Sequence, residues 1–492
     1  MIFINHQNIF IFLFIIILNN TIEEEELRWA FEIFRHGARS PYSGMNKDFQ
    51  DCFGTQWNGV KELTGVGLRQ HFLVGYRNRI RYMEENHLIN NIYDPREVYL
   101  ISTDTNRTIM SANAQVQGLF LPGTGSNLTE NQSNVAIPPV EEGIYREEKQ
   151  FLDEHEYATL PNRINIMPIH TFFNQEHFIQ LQDKKNCPKA GKYYDENQNR
   201  EEVKQFLEKM NIKYGANLKD LLINEEDKVD NVLKNYTKAY YIFDTIISQY
   251  TEGKEAFQKI VNKLGVDQNE LLEDCFKFFD LDLIGKGKNN DSELCLHSMS
   301  PIFDRLIKWM DDKIDKDNKG YLNYTEYDLP KFVMFSAHDS TCGAFMGFMN
   351  AIFGSEIKYP YFATNINLEL IIESGKEKKK ENYKVRYIIN DENIETINYN
   401  DFVTEINKKK KSTDDINKFC GFVEEKKDEN IDGNKSNTSV YVIVNVILSI
   451  ISIILIILIF VTINKKKNSK LGEIEDINNF EPLGAVKGNE ND

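Results

Sequence analysis

Leu27-Arg28-Trp29-Ala30-Phe31-Glu32-Ile33-Phe34 runs without a break into Arg35-His36-Gly37-Ala38-Arg39-Ser40-Pro41. The first part is a short, mainly apolar run rich in aromatic residues, which predicts a buried strand. The second part does not continue it, because Gly37 and Pro41 interrupt a ladder. It carries two arginines around one histidine. Guanidinium groups present rigid forks of N–H donors that match phosphate oxygens and stay charged at every relevant pH. Imidazole is the side chain that can act as a nitrogen nucleophile near neutral or mildly acid pH. Gly37 lets the backbone approach a ligand closely. Taken alone, such a basic loop is equally compatible with an ordinary surface turn, so the rest of the chain must decide.

Two more stretches repeat the arrangement. Glu97 to Ser102 (EVYLIS) reads as a strand, followed by Ser102-Thr103-Asp104-Thr105-Asn106-Arg107-Thr108 and a helix to Leu119. Lys331 to Ser336 (KFVMFS) reads as another, followed by Ala337-His338-Asp339-Ser340-Thr341 and a helix to about Phe353. Strand, polar turn and helix in succession is how ligands come to lie at the carboxyl ends of parallel strands. Arg107 falls near its helix start, where the dipole also favours anions. Thr64 is a suitable N-cap for a helix to about Glu85, on which His71 reads as an exposed or packing residue. Asn367 to Glu373 and Tyr383 to Ile389 are two further strands around the lysine-rich tip Gly375 to Glu381. Across about 123–300 apolar residues recur at helical spacing, as in Glu202 to Met210 and Val229 to Tyr250. The expected fold is therefore α/β: a mostly parallel central sheet flanked by helices, with a mostly helical cap insertion.

The chain has 492 residues and a formal net charge of −17, which argues against a nucleic-acid partner. Ile9 to Leu18 is an apolar core of signal-peptide length, so residues 1–20 are expected to be a signal peptide. Val440 to Ile463 holds no charged residue and would form a helix about 36 Å long, enough to cross a membrane. Lys465-Lys466-Lys467 follows and places the tail, 464–492, in the cytosol. The reading is a single-pass type I protein with a luminal or extracellular body, a single C-terminal transmembrane helix and a polar stalk at 421–439. Sequons at Asn127, Asn131, Asn235, Asn290 and Asn323, with Asn434 and Asn437 in the stalk, agree with a luminal body. The sequon at Asn106 lies inside the arginine motif and is expected to stay unmodified. Asp315 to Glu326 matches a calcium EF-hand loop in part, but Lys319 occupies a ligand position and Pro330 follows, so a solvated acidic turn is the preferred reading. The six cysteines allow fifteen full pairings and show no zinc-site spacing.

RHGARSP, STDTNRT and AHDST, in this order, resemble the histidine acid phosphatase family, over about residues 27–420 and only loosely in the cap. The resemblance implies hydrolysis of phosphate monoesters through a phosphohistidine on His36. Arg35, Arg39, Arg107 and His338 would hold the phosphate, and Asp339 would give a proton to the leaving alcohol. Three guanidinium groups can neutralise a phosphate, so no metal or other cofactor is implied. A phosphate beside Asp339 should raise its pKa by like charge, giving an acidic optimum. The resemblance also implies a bridge between the cap region and the end of the catalytic domain, for which Cys187 and Cys420 are candidates. Cys275 with Cys295 is a weaker second pair, and Cys342 a buried thiol. Signal, body, span and tail together resemble membrane-bound lysosomal acid phosphatases, with a small phosphomonoester as substrate and a homodimer as one possible assembly. The compartment is then lysosome, phagosome or cell surface. Narrower specificity for lysophosphatidic acid or inositol phosphates is the alternative within the superfamily. A catalytically silent surface receptor is the remote one.

Overall fold

The computed structural model describes residues 25–42, 59–136, 157–171, 187–219, 231–253, 255–283, 291–320 and 329–422. Contacts divide the chain into Met1–Glu424 and Glu425–Asp492, the second of which lies outside the described residues. The segments expected to be a signal peptide (1–20), a membrane span (440–463) and a tail (464–492), with most of the expected stalk, therefore also lie outside them, as do Asn290 and Asn323. Among the described residues no helix is long and apolar enough to cross a membrane.

The first strand, β1, spans Glu25–Arg35 and is buried along its last seven residues. Helix α1 (Gly65–Arg79) follows, capped by the Thr64 side chain on the Gly67 N–H and continued by a π-helical turn, Ile80–Glu85. Strand β2 (Val98–Ser102) leads into α2 (Asn106–Leu119). After the short α3 (Glu130–Val135), β3 (Ile169–Thr171) forms. A run of helices comes next: α4 (Ala190–Gln198), α5 (Glu201–Lys219), α6 (Tyr236–Thr251), α7 (Glu255–Leu264) and α8 (Gln268–Asp282). The long α9 (Asp291–Lys319) precedes β4 (Phe332–Ala337) and α10 (Asp339–Phe353). The chain closes with β5 (Asn365–Glu373), β6 (Tyr383–Ile389), β7 (Glu392–Asn398), α11 (Tyr399–Lys409) and α12 (Thr413–Cys420).

The strands form one seven-stranded sheet in the order β3-β2-β4-β1-β5-β6-β7. The first four are parallel to one another, but β5, β6 and β7 are antiparallel to their neighbours, so the sheet is mixed and not mostly parallel. The cause is local. β6 and β7 are joined only by Asn390-Asp391, both at positive φ, and a two-residue link can close only an antiparallel hairpin. Asn and Asp tolerate that conformation, which was the overlooked signal for β7.

Apolar packing falls into three clusters. One fills the sheet face covered by α9 and α10, with Trp29, Phe31 and Ile33 of β1 against Phe303 and Phe345. Another lies on the opposite face, where Ala30 and Phe34 meet Ala112, Val116 and Leu119 of α2. The third is a separate core between α5, the Val232–Lys234 turn and α6–α8, with Met210, Phe243, Ile260 and Phe278 at its centre. The helical stretch expected at 123–300 thus has its own core at 203–279. Two parts of it belong elsewhere: β3 returns to the sheet edge, and α9 starts at Asp291 and runs on through Pro301 to Lys319.

Cys187 and Cys420 form a disulfide. Cys275 and Cys295 do not pair with each other: Cys275 is buried in the helical core and Cys295 in the core beneath the sheet. Cys342 is a buried thiol. Asp315 and Asp317 lie in the continuous final turns of α9 and not in a loop. Asp317 is buried against Arg28 at 2.7 Å, Lys313 at 3.0 Å and the Tyr383 hydroxyl at 3.1 Å. A carboxylate engaged by two cations and a hydroxyl is spent on structure, so neither a calcium ligand nor a solvated turn describes it. Residues 321–328 of that motif lie outside the described residues.

Candidate active site

Three parallel strands end at one level. Arg35 of β1 lies opposite Ala337 of β4, and Ser102 of β2 opposite Ser336. The ladder continues briefly past the strands, with the His36 N–H on the Ala337 carbonyl at 3.0 Å and the Thr103 N–H on the Ser336 carbonyl at 3.1 Å. Backbone pairing thereby brings His36, Arg107, His338 and Asp339 together, with α2 and α10 starting at the same edge. The chain after His36 turns tightly against the start of α1. A Cβ on Gly37 would lie 2.5 Å from the Gly67 carbonyl oxygen, and one on Gly67 only 2.2 Å from that of Ala38. Glycine at 37 is therefore fixed by backbone crossing backbone.

His36 is buried, and its ring lies 5.6 Å from the His338 ring and 5.9 Å from Phe362. Its Nδ1 is 2.9 Å from the Gly37 carbonyl oxygen. A carbonyl only accepts, so Nδ1 carries the proton and Nε2 keeps the lone pair. Burial, reinforced by the guanidinium groups of Arg35 and Arg107, holds the His36 pKa well below the ordinary 6.5, so the ring is neutral.

Arg35 pairs with Asp339 at 2.8 Å, donates to the Pro360 carbonyl at 2.8 Å and lies over Phe362 at 4.4 Å and Tyr359 at 5.0 Å. Arg39 is gripped through both terminal nitrogens by Asp244 of α6, at 2.9 and 3.2 Å. Burial opposes the Arg39 charge, but Asp244 outweighs it and raises the pKa. Asp244 also accepts the Tyr42 N–H at 2.9 Å. Arg107 donates to Nδ1 of His338 at 3.3 Å, and Nε2 of His338 lies 3.0 Å from the Thr103 hydroxyl. Burial and then Arg107 push the His338 pKa down to about 3, so this ring is neutral as well. The Nε–H of each of the three arginines, 35, 39 and 107, is buried and has no hydrogen-bond partner in the protein. Buried donors seldom go unmatched, and three around one imidazole amount to a cradle for an anion.

Asp339, the first residue of α10, accepts from its neighbour Ser340 N–H at 2.8 Å and from the Tyr359 hydroxyl at 3.1 Å. Burial alone would raise its pKa, but Arg35 and then Arg39 outweigh burial and pull it down to about 2. The rise expected from sequence depends on a phosphate beside Asp339; the Arg35 ion pair, which the sequence does not reveal, sets the low value from which that rise would start. Sequence reading also missed Asp244, Tyr359 and Phe362. None stands in a recognisable motif; the nearest signal is the aromatic density of Tyr359-Pro360-Tyr361-Phe362 after the AHDST helix. His71, read as exposed or packing, is fully buried beside Phe34 at 5.1 Å. Of the sequons, Asn127, Asn131 and Asn235 are exposed; Asn106 is exposed too and donates to Glu62 at 3.1 Å.

Residues 26–390 match the family model "Histidine phosphatase superfamily (branch 2)". The chain is 25% identical over 344 residues to the lysosomal acid phosphatase of Xenopus laevis, covering 68% of this chain and 65% of that protein. It thus spans just under two thirds of that relative. Human prostatic acid phosphatase is 35% identical over 114 residues, 23% of this chain and 28% of that protein. Among solved structures, the Klebsiella sp ASR1 phytase superposes with a TM-score of 0.48 at 14% identity, covering 74% of this chain and 83% of that one. The chain belongs to branch 2 of the histidine phosphatase superfamily.

Proposed function

We propose that the protein is an acid phosphatase that hydrolyses phosphate monoesters by way of a phosphohistidine on His36. The observation that carries this reading is the neutral imidazole, its Nδ1 proton held by Gly37, among three arginines whose Nε–H groups lack a protein acceptor. In this reading the three guanidinium groups hold the non-bridging oxygens of the phosphate, and His338 braces Arg107. The Nε2 lone pair of His36 attacks phosphorus, the bond to the ester oxygen breaks, and Asp339 transfers its proton to that oxygen. Water then attacks the phosphohistidine, Asp339 takes a proton from that water, and inorganic phosphate leaves.

Charge balance favours an acidic working range. The guanidinium charges of Arg35, Arg39 and Arg107 stand against the carboxylates of Asp339 and Asp244, leaving one net positive charge. Protonating Asp339 makes it two, equal and opposite to a phosphate dianion. A bound dianion also competes with Asp339 for Arg35 and raises the Asp339 pKa from about 2. Activity should therefore fall with rising pH, and a peak above neutrality would remove Asp339 from the donor role.

Named relatives that are lysosomal acid phosphatases, together with the apolar run 440–463, support a membrane-anchored enzyme with a luminal or extracellular body. The decisive test is rapid quench of the enzyme with a radiolabelled phosphomonoester. Label should be trapped on protein in an acid-labile, base-stable form, and His36→Ala should abolish both label and turnover. Label persisting in the variant would end this assignment.

A further inference from the structure

Glu32 sits in the middle of β1, fully buried, and takes no part in the proposed chemistry. It accepts from Asn78 of α1 at 2.8 Å, Gln115 of α2 at 2.7 Å and Asn365 of β5 at 3.3 Å. Gln115 lies 2.9 Å from Nδ1 of the buried His71, and Nε2 of His71 lies 3.0 Å from the carbonyl oxygen of Arg35. A continuous buried chain thus runs from Glu32 through Gln115 and His71 to the peptide linking Arg35 and His36. The other ionisable groups near Glu32 are Tyr82 and Asp391. Glu369 also lies near Tyr82 and is paired with Arg81 and Arg386.

Donor and acceptor counting constrains this chain. The Arg35 carbonyl only accepts, so Nε2 of His71 carries a proton. If Gln115 turns its oxygen to His71, Nδ1 must carry a proton too, and Glu32 is a carboxylate accepting from the amide nitrogen. If Gln115 turns its nitrogen to His71, its oxygen faces Glu32, which must then be the protonated acid. Both arrangements hold one proton more than a neutral imidazole and a carboxylate. Without that proton, two lone pairs face each other at one of the two Gln115 contacts, in a site without water-facing surface.

We propose that Glu32 and His71 are positioning residues that share one buried proton and thereby lock the Arg35 carbonyl, and with it the aim of Arg35 and His36. This rests on the proposed phosphatase reading only for its effect on turnover; the shared proton itself is independent of it.

The test uses the full chain and Glu32→Gln, whose amide can donate to Gln115 at any pH. Burial raises the Glu32 pKa from 4.5 to about 7, and burial lowers that of His71 from 6.5 to about 4. In the wild type the folded state therefore keeps a proton on Glu32 that the unfolded chain releases, so this contribution declines from pH 4.5 to about 7. His71 contributes the opposite slope, from about 4 to 6.5, and largely masks it. Glu32→Gln removes only the first. The Tm of the variant relative to wild type should climb steadily from about pH 4.5 to about 7 and level off. The kcat of wild type on a phosphomonoester should drop near pH 7 in a step that the variant lacks. A Tm difference that is constant across this range overturns the proposal. Should the variant not fold, ¹⁵N NMR of histidine-labelled wild type decides instead: the Nδ1 signal of His71 must change near neutrality while Nε2 stays protonated, and a fixed Nδ1 signal overturns the proposal. A climbing Tm difference in a protein without phosphatase activity would keep the shared proton and sink the functional reading.

Discussion

The two sides of the candidate site are built by different means. On one side, Arg35, His36, Arg107, His338 and Asp339 stand on or just beyond the ends of β1, β2 and β4, and backbone ladders in register fix them. On the other, Asp244 comes from α6, and Tyr359 and Phe362 from the segment before β5. These are held by side chains: Tyr359 stacks on Phe279 at 5.2 Å, Tyr361 meets Phe276 edge-on at 4.5 Å, and Asp280 accepts the Tyr359 N–H at 3.2 Å. The first side supplies the groups that would react. The second supplies the counter-charge for Arg39 and a hydrogen bond to Asp339, so it sets charge and protonation. Changes on the first side should therefore remove chemistry, and changes on the second should move its pH range.

The largest effect belongs to His36→Ala, with loss of turnover on the order of 10⁴-fold or more, as for removal of other covalent nucleophiles. Asp339→Ala comes next, at about 10²–10⁴-fold for an alkyl phosphate. A phenolic phosphate, whose leaving group needs less help from a proton, should lose much less. Equal losses on the two substrates would show that Asp339 does not donate to the leaving group, and the strand-end side would then have no assigned acid.

The same division explains how much could be read from the chain itself. The strand ends were legible because each is a contiguous motif: a buried run, a polar turn and a helix start. His36 and Arg107 are named by neighbours in sequence. Asp244 could not be found that way, because its partner Arg39 lies 205 residues earlier and the helix around it reads as any amphipathic segment. The ion pair that lowers the Asp339 pKa was missed for the same reason, since it joins Arg35 and Asp339 across two motifs. The antiparallel half of the sheet was half legible: the lysine-rich hairpin between β5 and β6 was apparent. The Asn390-Asp391 turn was not, because β7 is largely exposed and carries few apolar residues.

Asp244→Asn probes the second side. It leaves the Arg39 guanidinium buried without a matching charge, which should cost about 3 kcal/mol of stability, measured by denaturant unfolding. Inorganic phosphate should then raise the Tm of the variant more than that of wild type, because the ligand supplies the missing negative charge. Arg39, less neutralised, also holds the Asp339 carboxylate more strongly, so the basic limb of kcat should move to lower pH. A loss of kcat as large as that of Asp339→Ala, without movement of the limb, would erase the distinction between the two sides.

Tyr359→Phe is the smallest change and the sharpest probe of the distinction. It removes one hydroxyl, which donates to Asp339 at 3.1 Å, and keeps the ring that stacks on Phe279 and lies near Arg35. A hydrogen bond to a carboxylate favours the charged form, so losing it raises the Asp339 pKa. For a proton donor the sign is then fixed: the acid survives to higher pH, and the basic limb moves upward. Such a bond is worth about 1 kcal/mol, so the shift should be a fraction of a pH unit to about one unit, with kcat on the acid plateau changed less than about fivefold. Asp244→Asn and Tyr359→Phe thus act on the same carboxyl from the same side of the site and should displace the limb in opposite directions. If both moved it the same way, the limb would report distortion of the site and not the protonation of Asp339.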